Sequence, residues 1–211
     1  MKPLLILILI GYSDHLEITR PADLIEHEYN PSVSRVTESH FARKLAMLGF
    51  QRHSETQWIR EDGTAEVTLL NANVPCESDK GTGSVIRRSN SACTRQQANS
   101  REIAEFVRTG LSRFDELIYV GHSRQGLGLG IGPAGTPEFA VSVNFYNPVE
   151  QGALRKAVIA SCDSNRYYST SFYRAPGFQF SGTDGRRQWV QELLPWALGQ
   201  LESDLASAAR Q

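Results

Sequence analysis

DELIYVGHSRQG, residues 115–126, decides how this chain is read. The short apolar run Glu116–Val120 stops at Gly121, and His122 and Ser123 follow at once. A run of this length and content suits a strand buried on both faces, ending where the chain turns polar. Four more runs have the same character: Leu4–Ile10, 65–70, 157–160 and 178–180. Helical stretches lie between them. In 34–48, SRVTESHFARKLAML, the residues Val36, Phe41, Leu45 and Leu48 fall near helical spacing, and Gly49 follows as a stop. In 99–111, NSREIAEFVRTGL, an Asn/Ser cap precedes Ile103, Phe106 and Val107, which share one face. Residues 185–209 read as one or two helices that Pro195 kinks or divides.

Strands alternating with helices predict an α/β fold, a three-layer α/β/α sandwich with a mostly parallel sheet. The expected organisation is one domain over residues 1–211, with a loop at 71–100 and a β-hairpin within 126–148. Sheets of this kind carry their chemistry where the strands end. Three such ends hold reactive or polar residues: Gly11-Tyr12-Ser13-Asp14, Gly121-His122-Ser123 and Ser161-Cys162-Asp163.

Composition narrows the partners. The formal net charge is −1, and 21% of the residues are charged with no long run of either sign. Nothing there favours nucleic acid or an anionic membrane as a partner. The opening MKPLLILILIGYSDHLE carries an apolar run too short to span a bilayer and without a small-x-small cleavage site, so a retained strand and a cytoplasmic protein are expected. The alternative is export, in which the run is a signal and Cys76 and Cys93 pair.

Ser123 is a poor nucleophile. An α/β-hydrolase elbow requires Gly-x-Ser-x-Gly, whereas Gln125 stands at the second glycine position, and no histidine follows Ser123 to complete a triad. GLGLGIG at 126–132 lacks the lysine of a phosphate-binding loop, and no helix follows it. His15, His27, His40 and His53 are scattered singly, so neither a metal nor a cofactor is expected. Cys162 is different. It follows the apolar AVIAS directly and precedes the polar DSNRYY, an exposed setting for a thiol. A thiol needs a base or an electropositive site to react near neutral pH, and His122 at the end of the preceding strand suits that role.

LIYVGHS followed by AVIASCDS resembles the caspase-like cysteine peptidases, the group of caspases, metacaspases, legumains, clostripain-like enzymes and bacterial CHAT domains. SCDS is similar to the Ser-Cys-x-Ser of metacaspases, and KPLLILILIGYSD to their first strand. The resemblance implies a caspase-like sheet and a cysteine endopeptidase acting on a peptide or protein substrate. Cys162 would attack the peptide carbonyl to form a thioester, and His122 would protonate the leaving amine. The amides of Ser123 and Cys162 would hold the oxyanion. Asp14, Arg20, Ala160 and Asp163 would fall near the substrate. Three departures stand out: Ser123 replaces the family's glycine after the histidine, Ala160 its aspartate two places before the cysteine, and Asn165 its glycine after Cys-x-Ser. They leave room for an inactive caspase-like interaction module, with a serine esterase or acyltransferase using Ser123 as a further alternative.

Overall fold

Leu4–Ile10 forms β1, the strand on which the rest assembles. Ile6, Leu7, Ile8, Leu9 and Ile10 are all completely buried, so the run is apolar without alternation. A computed structural model describes residues 2–12, 31–74, 94–122, 128–132, 140–141, 154–172, 177–185 and 187–208. After β1 come helix α1 (Pro31–Met47) and the short strands β2 (Phe50–Arg52) and β3 (Gln57–Arg60). Strand β4 (Ala65–Asn71), helix α2 (Thr94–Gly110) and strand β5 (Glu116–Val120) follow. Then come β6 (Leu129–Gly130), β7 (Ala140–Val141), β8 (Lys156–Ala160), helix α3 (Ser164–Phe172) and β9 (Gln179–Gly182). A π-helical turn at Trp189–Leu193 leads into the last helix, α4 (Leu194–Ala208).

The main sheet has the order β2-β3-β4-β1-β5-β8-β9. Five strands, β4, β1, β5, β8 and β9, run parallel, and β3 and β2 continue the sheet antiparallel at one edge. Ile6, Ile8, Ile10, Ile118, Val120 and Val158 pack under Phe41 and Leu45 of α1 and Leu194, Ala197, Leu201 and Leu205 of α4. On the opposite face Leu7, Leu9, Leu117, Tyr119 and Ile159 meet Ile103 and Val107 of α2 and Tyr168 of α3. The protein is thus the predicted α/β/α sandwich. Among the described residues no helix is long and apolar enough to cross a membrane. Because β1 pairs with β4 on one side and β5 on the other, the N-terminal run is the middle of the sheet.

Three elements go beyond the sequence pattern. Helix α2 starts at Thr94, before the Asn/Ser cap, because the buried Gln96 serves the loop ahead of it. Its amide donates to the Ala72 carbonyl at 2.6 Å, and its oxygen accepts from the Val74 N–H at 3.0 Å. The hairpin of β2 and β3 is closed by Ser54, whose Oγ accepts from the Gln57 N–H at 3.1 Å. Helix α3 buries Tyr168 completely but offers little else of apolar period. Within the stretch 126–148, where a hairpin was expected, the described residues show β6 and β7 paired antiparallel. Cys76 and Cys93, with their possible pairing, lie outside the described residues.

Candidate functional site

The parallel strands all end on one edge. There Val120 is level with Ala160, so His122 and Cys162 leave two adjacent strands at the same height. The Gly121 N–H donates to the Ala160 carbonyl at 3.1 Å and the Gly11 N–H to Val120 at 2.8 Å, which carries the strand pairing one residue past each strand. The order of the parallel strands reverses between β1 and β5, the place where open α/β sheets ordinarily leave a crevice for a ligand. Among the described residues, Tyr119 packs closely against the ends of both strands. A Cβ on Gly11 would lie 2.5 Å from the Tyr119 Oη, and one on Gly121 would lie 2.3 Å from it.

Among the described residues, open space lies further along the edge, at the ends of β8 and β9. A cavity of about 410 Å³ is lined by Gly182, Thr183, Asp184, Arg187, Glu192, Leu193 and Trp196. Cys162 borders it through Arg187, whose N–H stands 3.4 Å from the sulfur and whose carbonyl stands 3.6 Å from it. The protonated thiol has the carbonyl to donate to, and a thiolate has the N–H to accept from, so either state finds a partner. The Arg187 guanidinium is fixed by the Asp184 carbonyl at 3.0 Å and by Glu192 at 3.0 Å. The Gln188 N–H and the Arg187 guanidinium hold the Glu192 carboxyl below its ordinary range.

The turn that presents Cys162 is tightly specified. Asp163 adopts a left-handed φ of 52°, which aspartate tolerates better than most residues, and its carboxylate accepts from the Gly185 N–H at 2.9 Å. Ser164, fully buried, donates to the Ile159 carbonyl at 2.6 Å and accepts from the Thr183 N–H at 2.7 Å. Asn165 donates to the Asp184 carboxylate at 3.1 Å and takes up the space that a side chain at Gly182 would need. Cys162-Asp163-Ser164-Asn165 therefore stitches the end of β8 to the end of β9 and opens α3. Cys162 itself remains half-buried beside the cavity.

No family model matches this chain, and no curated protein matches it. Solved structures that resemble it include the azoreductase AzrA and an azoreductase from Bacillus anthracis str. Sterne. AzrA is 13% identical with a TM-score of 0.37, over 98% of this chain and 100% of that one. The second is 13% identical with a TM-score of 0.38, over 99% and 100%. These neighbours are azoreductases rather than caspase-like peptidases, and the expected caspase-like cysteine endopeptidase is corrected accordingly. The inactive caspase-like module and the serine esterase or acyltransferase fall with it. An overlap this shallow carries no activity from the azoreductases to this chain either.

The physical reason for the misreading lies in the strand ends. Gly121 and the Asp-Ser pair after Cys162 looked like parts of a peptidase signature. Gly121 is explained by its contact with Tyr119, and Asp163 and Ser164 by the turn and helix they build. Any parallel sheet places polar residues, glycines and helix starts at this edge, so a dozen residues there do not distinguish one family from another. Of the residues singled out in the sequence, His122 and Cys162 are brought to one edge. Ala160 is completely buried among core residues facing α4, and Asp163 is engaged with Gly185. Asp14, Arg20 and Ser123 lie outside the described residues. The cavity wall at 182–196 went unnoticed in the sequence, where it carries no motif or periodic pattern, only the polar GTDGRRQ between β9 and the π-helical turn.

Proposed function

We propose that the protein acts on a small molecule held at the ends of β8 and β9, with Cys162 as the reactive thiol and His122 as the group that exchanges the thiol proton. The observation that carries this reading is the position of Cys162. Its sulfur sits just past the end of a buried strand, 3.4 Å from the backbone N–H of Arg187, a residue that lines a cavity of about 410 Å³. That volume suits a small ligand, and the wall mixes an aromatic ring, a fixed guanidinium and two carboxylates, which is the blend that orients a polar ligand. The thiol adds reversibly to an electrophilic carbon of the ligand, its proton passing to His122 as the S–C bond forms and returning as that bond breaks. We place the protein in the cytoplasm, where a reducing environment keeps such a thiol available.

Iodoacetamide labelling tests the proposal, read at Cys162 by peptide mass spectrometry. In the folded protein at pH 7, Cys162 should label about tenfold faster than in the urea-unfolded chain, and His122→Ala should remove most of that gain. Equal rates in the folded and unfolded protein, or a rate indifferent to His122→Ala, would sink the reading.

A further inference from the structure

Tyr119 is the last core-facing residue of β5 on the α2 side, completely buried, yet its hydroxyl reaches back over the carboxyl edge of the sheet. There it joins segments distant in sequence. The Gly130 N–H, in β6, donates to the Tyr119 Oη at 3.0 Å. The Tyr119 hydroxyl in turn donates to the His122 carbonyl at 3.0 Å, with the Gly130 carbonyl a more distant alternative at 3.4 Å. The Gly130 carbonyl is meanwhile taken by the Tyr12 N–H at 2.8 Å, just past the end of β1. Tyr119 thus stands at the centre of a knot of three segments: the end of β1, the residue after Gly121, and β6.

The knot leaves no slack. Gly11 and Gly121 have no room for a Cβ, and the obstructing group in both cases is the end of the Tyr119 side chain. The phenol bonded to the His122 carbonyl three residues ahead adds a constraint on that residue's backbone beyond the last strand pairing. The direction in which the His122 side chain leaves the chain is thereby constrained too, since it is set by that backbone.

We propose that Tyr119 is a positioning residue for His122: its hydroxyl sets the backbone from which the imidazole leaves the sheet edge. This rests on the proposed thiol chemistry for its consequence, but the positioning itself can be read without it.

The test uses the whole protein with Tyr119→Phe and two readouts. The first is the set of His122 ring ¹⁵N–¹H signals followed through a pH titration. Without the hydroxyl these signals should shift or broaden, while the remaining histidines keep theirs. Ring signals that titrate as in the wild type would overturn the proposal. The second readout is the pH profile of Cys162 labelling, which should lose about fivefold near neutral pH, a change of the size one net hydrogen bond confers. A disturbed His122 ring with unchanged labelling, together with labelling indifferent to His122→Ala, would uphold the positioning role while removing the thiol reading. Should Tyr119→Phe not fold, incorporating 4-fluorophenylalanine at that position keeps the volume, loses the donor, and is read in the same two ways.

Discussion

At the amino edge of the sheet Glu116 and Lys156 begin adjacent strands and stand opposite each other. The Lys156 ammonium lies 2.5 Å from Asp204 of α4 and 3.7 Å from Glu116. Nearby, the Asp115 carboxylate accepts from the Leu5 N–H at 2.9 Å. At the carboxyl edge the same two strands end in Gly121-His122 and Ser161-Cys162, where the close contacts run through a phenol, a thiol and backbone amides. One edge spends its charges on one another under cover of α4. The other packs Tyr119 against the strand ends, leaves a cavity lined by the thiol's neighbour Arg187, and relies on glycines for close approach. Stability and chemistry are therefore assigned to opposite ends of the same strands, and substitutions at each end should fail in different ways.

The largest effect is expected at the amino edge. Lys156→Met keeps the side-chain length but removes the cation 2.5 Å from Asp204, whose side chain is only 17% exposed. Removing one partner of a buried ion pair leaves an uncompensated carboxylate, and the expected loss is about 3 kcal/mol at neutral pH. Urea unfolding measures it. A change within about 0.5 kcal/mol would show that water or movement of α4 replaces the lysine.

At the carboxyl edge the corresponding lesion is steric. In Gly121→Ala the new Cβ meets the Tyr119 Cζ at 2.5 Å and the Gly11 Cα at 3.1 Å, and neither neighbour is the loose end of a flexible chain. Overpacking of this kind should cost about 2 kcal/mol. Unlike the lysine substitution, it should also lower Cys162 labelling, because relief requires Tyr119 to move off His122. If Gly121→Ala unfolds at the wild-type urea midpoint, the crowding that separates the two edges is not real.

Much of this plan could be read from residues alone. Leu4–Ile10 and Glu116–Val120 were legible as strands because both of their faces are buried, and the three strand ends that mattered were named from the same pattern. Helix α2 was only half legible. Its first turn carries Gln96, a polar residue buried by hydrogen bonds to Ala72 and Val74, which no hydrophobic period reveals. At the site the positions of His122 and Cys162 were visible but their family was not, since strand ends look alike across unrelated sheets. The work of Gly121 depends on where Tyr119 sends its hydroxyl, and the Glu116–Lys156–Asp204 cluster depends on strand register and on a helix far along the chain. Such facts arise only when the strands are placed side by side.

The amino edge can be separated from the carboxyl edge by pH as well, with the smallest expected effect. Burial pushes the Glu116 carboxyl from 4.5 up to about 9, Asp204 adds to the rise, and Lys156 opposes it. The folded protein therefore holds a proton on Glu116 that the unfolded chain releases near its ordinary carboxylate value. A raised carboxyl favours folding most below the unfolded value, and that contribution is lost as pH climbs towards about 9. Stability should accordingly decline with pH across this window. Glu116→Gln keeps the shape and the neutral state at every pH, so it should flatten the decline, with a difference from wild type of about 1.4 kcal/mol accumulating between pH 6 and pH 7. Urea midpoints taken at both pH values decide the matter. Parallel pH profiles for the two proteins would mean that Glu116 is ionised in the fold and that Lys156 outweighs burial. Cys162 labelling at a fixed pH should be the same in both, since the substitution lies at the other end of the strand.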